Sequence, residues 1–370
     1  MEAKKMNGGK VALRVAVCVI TALLLVVFAV YGVMWILVHG PSTTARRLFV
    51  LSVKETSAGG FLADIYLNEN EIAEILQTGE DKSGSEMDSS LISIPTKPDT
   101  PTPGSPADSS ESLLDPDDSS PGKPDTAVTP PDDTNEADDG IQVIDIKGQT
   151  FHGKMMVITD PTRVFVGVPD SYGADSSGLT VAAMIEKYDC IAGTNAGGFY
   201  DPNGQGTGGI PDGMVIYEGE LLWGDPNASF SIAGLDSNGL LHVGQMTGHQ
   251  ALEANIRYAA SFGPALVVNG EAAGGKWGLG GGLNPRTAIG QRADGAILLL
   301  VINGRSIDSL GATLDDLSAI MLEHGAINAT NLDGGSSSIM IMDGEYLTNS
   351  AYIFGERVVA TAILVRKNEE

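Results

Sequence analysis

Residues 284–305 read NPRTAIGQRADGAILLLVINGR. The stretch holds two apolar runs, and the second, Ala296 to Ile302, contains only aliphatic side chains. Asp294-Gly295 separates the runs, and such a pair favours a two-residue β-turn because glycine accepts a positive φ. Arg286 enters the first run. The stretch therefore predicts an antiparallel hairpin with a basic side chain at the start of its first strand.

Further strand signals lie on both sides of this hairpin. Asn238-Gly239 and Asp343-Gly344 also separate apolar runs and predict two more tight hairpins. Residues 141–370 hold 36 of the 47 glycines, which indicates many turns and close backbone approaches. The other strand-like runs are Met155–Ile158, Val164–Val168, Met214–Tyr217, Ala265–Val268, Ser338–Met342 and Val358–Val365.

Two helices are predicted within the same region. Thr180 can cap a helix over Val181 to Tyr188, and Thr313 begins a capping-box pattern for a helix over Leu314 to His324 that stops at Gly325. Strands outnumber helices, and most strands connect through turns. The expected fold of residues 141–370 is therefore α+β, with a mixed, largely antiparallel sheet and packed helices.

The N-terminal region has the pattern of a membrane anchor. Val15 to Val38 is 24 residues without a charged side chain, long enough to cross a bilayer as a helix. The preceding basic residues predict a cytoplasmic N-terminus, so everything beyond residue 40 should be extracytoplasmic at the cell membrane. Cleavage near Ala45 and a buried core helix are the alternatives. We expect residues 1–40 to form a cytoplasmic tail and a single transmembrane helix, whose partner is the lipid bilayer.

The next two segments have no strong fold pattern. Residues 41–79 form a juxtamembrane segment with an apolar patch, whose role the sequence does not indicate. Residues 80–140 contain 10 of the 18 prolines, 16 acidic residues and no aromatic residue. Such a composition cannot bury enough apolar area to offset its ordering entropy. We expect a disordered linker that tethers the domain away from the membrane.

Composition and spacing exclude several functional classes. The net charge of −25, with no local excess of Lys or Arg, makes nucleic acid a poor partner. Two cysteines cannot form a disulfide framework, and the five histidines lack metal-ligand spacing. Acidic loops make Ca²⁺ conceivable, but no EF-hand spacing supports it. No cofactor and no metal site are expected.

Four polar clusters remain, each within a glycine-rich turn beside an apolar run. Singly, each is explained by turn formation or structural ion pairs. Together they bring two arginines and an aspartate into loops of an acidic domain, which favours a site for an anionic substrate. The clusters are Thr194–Asp201, Asn284–Gly290, Asn303–Arg305 and Asn328–Ser338.

These clusters resemble the phosphodiester glycosidase family, block by block and in order along the chain. Asn195–Tyr200 is similar to its Asn-Gly-Gly-Phe-Phe block, Pro211–Gly213 to its Pro-x-Gly turn, Pro285–Gly290 to Pro-Arg-Thr-x-x-Gly, Asn303–Arg305 to Asp-Gly-Arg, and Asn331–Ser337 to Asn-Leu-Asp-Gly-Gly-Gly-Ser. Three positions depart from the pattern, because Ala196 lengthens the first block, Asn303 replaces an acidic residue and Ser336 stands where a third glycine is usual.

The resemblance implies hydrolysis of a sugar joined through its anomeric carbon to a phosphodiester, which releases the sugar and a phosphomonoester. Arg286 and Arg305 would hold the phosphate oxygens. Asp333 would act as nucleophile or stabilise oxocarbenium character, while Asn195 or Asp201 orients the sugar or a water. The implied catalytic residues are Asp333, Arg286, Arg305 and Asn195. The implied substrate-binding residues are Gly197, Gly198, Asp201, Asn303, Asn331, Gly334, Gly335 and Ser336.

Three functional classes fit these observations. The first is a membrane-anchored glycosidase acting on sugar-1-phosphodiester linkages in cell-surface or exopolysaccharide polymers. The second is a non-catalytic carbohydrate- and phosphate-binding module of the cell envelope, in which Trp223 and Trp277 stack on sugars. The third is an adhesion or scaffolding protein that depends on its anchor. The resemblance favours the first.

Overall fold

The computed structural model describes residues 8–56, 59–76, 86–94, 139–274, 280–352 and 354–368, without the side chains of residues 8–11 and 203. Of the linker predicted at residues 80–140, residues 80–85 and 95–138 lie outside the described residues, as does Trp277.

The N-terminal part of the chain is helical. Its helices are α1 (Gly8–His39), α2 (Thr43–Lys54), α3 (Phe61–Asp64) and α4 (Glu69–Leu76). Ala12–His39 has a mean hydropathy of 2.8 and leaves most of its apolar side chains exposed. By length and composition it therefore fits a membrane span, and a signal sequence passes the same test. The other three helices pack against the end of α1 through a small apolar core of Val38, Val50, Ala63, Leu67 and Ile72.

The domain that follows is built mainly from strands. In chain order these are β1 (Ile141–Lys147), β2 (His152–Ile158), β3 (Val164–Gly167), β4 (Cys190–Asn195), β5 (Val215–Tyr217), β6 (Glu220–Trp223), β7 (Ser229–Asp236), β8 (Leu241–Thr247), β9 (Ile256–Ser261), β10 (Ala265–Val268), β11 (Glu271–Ala272), β12 (Arg286–Arg292), β13 (Ile297–Ile302), β14 (Ala326–Leu332), β15 (Met340–Met342), β16 (Glu345–Tyr346) and β17 (Ala362–Arg366). Each predicted strand-like run overlaps one of these strands.

The strands form three sheets. Their orders are β1-β2-β13-β12-β14-β10-β11, β16-β15-β4-β17-β3 and β6-β5-β9-β7-β8. Every ladder within these sheets is antiparallel. Asp294-Gly295 joins β12 to β13, as predicted, and all six residues of β13 are buried because β13 lies inside the first sheet. The α+β fold with largely antiparallel sheets is confirmed.

Three helices pack on these sheets, namely α5 (Val181–Lys187), α6 (Gly248–Glu253) and α7 (Leu314–Glu323). The Thr180 hydroxyl accepts the Ala183 N–H at 3.1 Å and begins α5. Thr313 begins α7 through a capping box, and Gly325, with φ +83°, follows its end. Both predicted helices are therefore confirmed.

Two segments outside the predicted domain also contact it. Residues 86–94 fall within the predicted linker, yet Ser93 N–H donates to the Ala293 carbonyl at 2.8 Å and Ile92 is buried. The end of α2 approaches a different face, where the Leu283 N–H donates to the Ser52 hydroxyl at 2.8 Å. For residues 86–94, the expectation of a disordered tether differs from the structure because specific backbone groups find partners on the domain. For the juxtamembrane segment the sequence predicted no role.

Candidate active site

The register of the first sheet gathers three of the sequence clusters at one edge. Arg286 pairs with Ile302, and Thr287 pairs with Leu332. The first residue of β12 therefore lies beside the last residues of β13 and β14. Because the polar residues follow β13 and β14 directly, Arg305 and Asp333 lie near Arg286.

A cavity of about 430 Å³ lies at this edge. Arg286, Arg305 and Asp333 all line it, so the structure brings together the three groups to which the sequence assigned the chemistry. The other predicted residues on its wall are Asp201, Asn331, Gly334, Gly335 and Ser336. Other residues on the wall include Phe199 and Asn284 from the predicted clusters, and Glu55, Phe262 and Arg357 from outside them.

Asp333 lies on the wall of the cavity with little exposure. Burial raises the pKa of its carboxyl from 3.8 to about 6, against the lowering effects of the Ser337 hydroxyl and the Arg357 guanidinium. The carboxyl is therefore ionised at neutral pH and becomes protonated in mildly acidic solution. A carboxylate with this environment suits either attack on an electrophilic carbon or stabilisation of positive charge there.

Asn195 is fully buried and does not line the cavity. Its Nδ2 donates to the Asp333 carbonyl at 2.5 Å, and its Oδ1 accepts from the Thr287 hydroxyl at 2.9 Å and the Ile339 N–H at 3.2 Å. The side chain therefore ties β4 to the Asp333 backbone. The described contacts of Asn195 are all with protein groups, and a catalytic role stays a prediction.

Arg286 is buried and already paired. Its Nη2 lies 2.9 Å from the Oε2 of Glu55, the residue that follows α2, and it also donates to the carbonyls of Gly280 and Gly282. Glu55 further accepts the N–H groups of Gly280 and Gly282, at 2.6 and 2.9 Å, and the side-chain amide of Asn284. The Glu55 carboxylate thus accepts hydrogen bonds from a guanidinium group, a side-chain amide and two backbone N–H groups.

The contacts of Glu55 indicate which kind of chemical group suits this part of the cavity wall. Glu55 has a side-chain exposure of only 11%, and a buried carboxylate is stable only when its charge is compensated. The donors around it are of the kind that bind an oxyanion. In this structure the oxyanion belongs to the chain itself.

Arg305 approaches the cavity from the turn after β13. Its backbone has φ +59°, and its Nη2 donates to the Asn284 Oδ1 at 3.1 Å. Burial lowers its pKa, and the Glu55 and Asp333 carboxylates oppose that effect. Gly335, with φ +61°, allows close approach, since a Cβ there would lie 3.2 Å from Arg305 Nη2. The guanidinium is thereby held against the cavity wall.

A third arginine on the cavity wall, Arg357, was not among the site residues predicted from the sequence. It is 8% exposed, forms an ion pair with Asp201 and donates from Nη1 to the Ser336 hydroxyl at 3.1 Å. Its guanidinium also lies 4.9 Å from the centre of the Phe199 ring. One available signal was that Arg357 directly precedes an apolar run, as Arg286 does.

Three predicted substrate-binding residues lie away from the cavity wall. The Gly197 N–H donates to the Thr361 hydroxyl at 2.8 Å. The Gly198 N–H donates to the Ser261 carbonyl at 3.2 Å. Asn303 is buried between His152 and the backbone of Asn349. Their described contacts are structural, and a role in binding substrate stays a prediction.

Asn331 supplies an unused acceptor on the wall. Its Nδ2 donates to the Gly263 carbonyl at 2.9 Å, whereas its buried Oδ1 has no hydrogen-bond partner within the described part of the chain. A buried acceptor of this kind is costly unless a ligand or water satisfies it. Asn331 is therefore well placed to accept a hydrogen bond from a substrate hydroxyl.

Among the described residues, no cluster of three or more His, Cys, Asp or Glu forms a metal site.

Comparison with known proteins identifies a family model that matches part of the chain. The family model described as phosphodiester glycosidase matches residues 188–366. The SPbeta prophage-derived uncharacterized protein YomE of Bacillus subtilis (strain 168) is 31% identical over 190 residues, covering 48% of this chain and 28% of that protein. The N-acetylglucosamine-1-phosphodiester alpha-N-acetylglucosaminidase of Bos taurus is 32% identical over 62 residues, covering 17% of this chain and 12% of that enzyme. The chain therefore spans less than a third of either curated relative.

A solved structure shares the fold. The zebrafish N-acetylglucosamine-1-phosphodiester alpha-N-acetylglucosaminidase catalytic domain, described as auto-inhibited by its pro-peptide, has a TM-score of 0.52 and 21% identity, covering 62% of this chain and 82% of that one. All five sequence blocks lie inside the matched range. The resemblance is thus confirmed, and residues 188–366 of this chain match the phosphodiester glycosidase family.

Proposed function

We propose that this protein is a membrane-anchored, extracytoplasmic glycosidase that hydrolyses sugar-1-phosphodiester linkages in cell-surface or exopolysaccharide polymers. The observation that carries the proposal is one cavity lined by Asp333 and by the guanidinium groups of Arg286, Arg305 and Arg357. The family match supports a glycosidase-type function. The names of the bovine and zebrafish relatives suggest that the bond cleaved is a sugar-1-phosphodiester.

The arginines suit a phosphodiester because they neutralise its charge. A phosphodiester carries one negative charge on two oxygens, which matches the planar fork of a guanidinium group. When the bond from the anomeric carbon to oxygen breaks, its electron pair remains on the phosphate oxygen. Arg305 and Arg286 would stabilise that developing charge. The phosphate leaves with low basicity, so protonation by a general acid contributes less than in ordinary glycoside hydrolysis.

Asp333 would act at the anomeric carbon. As a carboxylate it either forms a glycosyl-enzyme bond or stabilises the oxocarbenium-like transition state. Water then supplies hydroxide to that carbon and releases one proton, which leaves free sugar and a phosphomonoester. Asn195, through the Asp333 carbonyl, would keep the aspartate in position.

The pKa of Asp333 predicts an acidic limit on activity. With a pKa of about 6 in the folded protein, the carboxylate protonates as the pH falls through that value. We expect kcat/KM to fall about tenfold per pH unit well below pH 6. A pH–rate profile on a synthetic sugar-1-phosphodiester measures this limit. A rate that instead rises as the pH falls from 7 to 5 would assign Asp333 the role of general acid.

Arg305 offers a test of phosphate recognition. Arg305→Lys keeps the positive charge but loses the two-pronged donor geometry, and we expect kcat/KM to fall about tenfold or more. Arg292→Lys is the matched control, because Arg292 pairs with Asp294 in an exposed hairpin outside the cavity. Equal kinetics for the two variants would remove Arg305 from phosphate binding.

The segment before the domain would regulate the same cavity. The zebrafish relative is described as auto-inhibited by a pro-peptide. Here the carboxylate of Glu55 occupies donors that a phosphodiester oxygen would use. Within the proposal, Glu55 competes with substrate, and the segment around α2 must move before substrate binds.

The anchor rests on α1. Its apolar length fits a bilayer, and the basic residues Lys4, Lys5, Lys10 and Arg14 before the uncharged run favour a cytoplasmic N-terminus. With that orientation the domain faces the cell exterior, where envelope polymers would be its substrates. A signal sequence in place of an anchor would leave the catalytic proposal unchanged.

The direct test is hydrolysis by the detergent-solubilised full chain. The substrate is the methyl phosphodiester of N-acetylglucosamine-1-phosphate, and the products are free sugar and methyl phosphate. Methyl N-acetylglucosaminide, which lacks the phosphate, is the control and should not react. Saturable binding without product, by both the wild type and Glu55→Ala, would favour the carbohydrate-binding module and exclude the enzyme for this class of substrate.

A further inference from the structure

A second cavity, of about 410 Å³, adjoins the candidate active site. The two cavities share three consecutive wall residues, Phe262, Gly263 and Pro264. The other residues that line the second cavity are Asp212, Gly213, Phe230, Ser231, Gln245 and Ser261. Asp212 and Gly213 come from the Pro211–Gly213 block, the one family block without a residue on the first cavity.

The shared wall is fixed in place from both sides. The Phe262 N–H donates to the Ser231 carbonyl at 3.1 Å, and Asn331 Nδ2 donates to the Gly263 carbonyl at 2.9 Å. The Phe262 ring lies against Gly198, where a Cβ would be 2.9 Å from the ring. The side chain of Asn331, which lines the first cavity, is therefore hydrogen-bonded to the wall of the second. The two cavities therefore adjoin along this wall.

The chemistry of the second cavity differs from that of the first. Its described lining contains no Lys or Arg, so nothing there offsets a phosphate charge. Two aromatic rings, Phe230 and Phe262, give flat apolar surface, while Asp212 and Gln245 expose a carboxylate and an amide. Sugar rings have apolar faces and a rim of hydroxyl groups, which such a mixture of rings, acceptors and donors recognises.

The position of the donors around Glu55 indicates which side of the scissile bond lies nearer the second cavity. Glu55 marks the oxyanion donors at Gly280, Gly282 and Asn284. None of these residues lines the second cavity, which meets the first at Phe262 to Pro264. The phosphate end and the second cavity therefore lie at different parts of the first cavity. A neutral sugar bound in the second cavity would therefore be attached to the cleaved sugar and extend away from the phosphate.

We infer that the cavity between β7, β8 and the Phe262–Pro264 wall is a subsite for a neutral sugar residue linked to the sugar that is cleaved. The inference rests on the proposed function. It makes the substrate an oligosaccharide or polysaccharide chain attached through phosphate, and a single sugar phosphate fills only part of the site.

The test compares two lengths of sugar on the same leaving group, with the full chain in detergent. The short probe is the methyl phosphodiester of N-acetylglucosamine-1-phosphate. The long probes are the methyl phosphodiesters of 1→3-, 1→4- and 1→6-linked N-acetylglucosamine disaccharide-1-phosphates. We expect at least one long probe to have a kcat/KM about tenfold above that of the short probe. No gain for any of the three would overturn the subsite while leaving the hydrolase in place.

Gln245 provides the matched variants, because it is exposed on β8 and its replacement leaves the core unchanged. Gln245→Trp fills the cavity and Gln245→Ala removes the amide. Both should abolish the gain for the long probe and change the short probe less than twofold. Glu220→Trp, an exposed position on β6 of the same sheet, should leave both probes unchanged. Equal losses of kcat/KM on the short and long probes for Gln245→Trp would contradict the subsite. Absence of turnover of every probe, by both the wild type and Glu55→Ala, would refute the proposed function itself.

Discussion

Asp333→Asn is expected to lower kcat on a sugar-1-phosphodiester by a factor on the order of a thousand or more. Asparagine has the same shape as aspartate but carries no negative charge, so it can neither attack the anomeric carbon nor stabilise positive charge there. The loss should be in kcat, because the arginines that hold the phosphate are unchanged. Rates on methyl N-acetylglucosamine-1-phosphodiester, with active-site binding measured separately by calorimetry, check this division.

The stability of the Asp333→Asn variant separates a catalytic effect from unfolding. The folded-state pKa of about 6 lies above the unfolded value, so the folded protein binds more protons between roughly pH 4 and 6. Stability from this group is therefore lost as the pH rises through that window. At pH 7 the variant should melt at the same temperature as the wild type or higher. Asp343→Asn, at an exposed turn outside the cavity, should change neither rate nor melting temperature. A variant of Asp333 with wild-type kcat would remove the residue from the mechanism.

Local sequence signals were sufficient for most of the fold. The Asp294-Gly295 turn, the Thr313 capping box and the apolar runs act over a few residues, and each appears where it was predicted. The same signals placed Arg286 at the start of β12, whereas β14, which ends directly before Asp333, was not among the predicted strands. Antiparallel register brings Arg286 and Asp333 to one edge. Arg286 was therefore predictable from a strand end, while Asp333 was singled out by the family resemblance.

Other parts of the site depend on contacts that no local pattern specifies. Glu55 pairs with Arg286 across 231 positions, and in sequence it is one more acidic residue after an amphipathic helix. Arg357 reaches the cavity only because Ser336 and Asp201 meet it there. Asn195 is a further case, since its residue type suggested contact with substrate, whereas the structure shows it buried and hydrogen-bonded to the Asp333 carbonyl, and its catalytic role stays a prediction. Burial is a property of the packed domain, so sequence spacing alone cannot assign it.

The second large effect is expected for substitutions of Glu55, which should change KM. Glu55→Gln removes the negative charge that competes with the phosphodiester, while Glu55→Ala also clears the space. If substrate binds only when this carboxylate has left, both variants should lower KM by a factor on the order of ten and leave kcat unchanged. Steady-state kinetics on the methyl phosphodiester measure the two parameters separately. Glu71→Gln is the matched control, because Glu71 pairs with Arg46 within the N-terminal helices and does not line the cavity.

The same substitutions should make the protein less stable, since Arg286 loses a partner in a site where both side chains are about a tenth exposed or less. Inorganic phosphate can replace the lost carboxylate, so it should raise the melting temperature of Glu55→Ala more than that of the wild type. Higher affinity for substrate together with lower stability is expected only of a displaced internal ligand. A rise in KM in both variants, without protection by phosphate, would instead make Glu55 a structural brace of Arg286 and exclude its role in regulating the cavity.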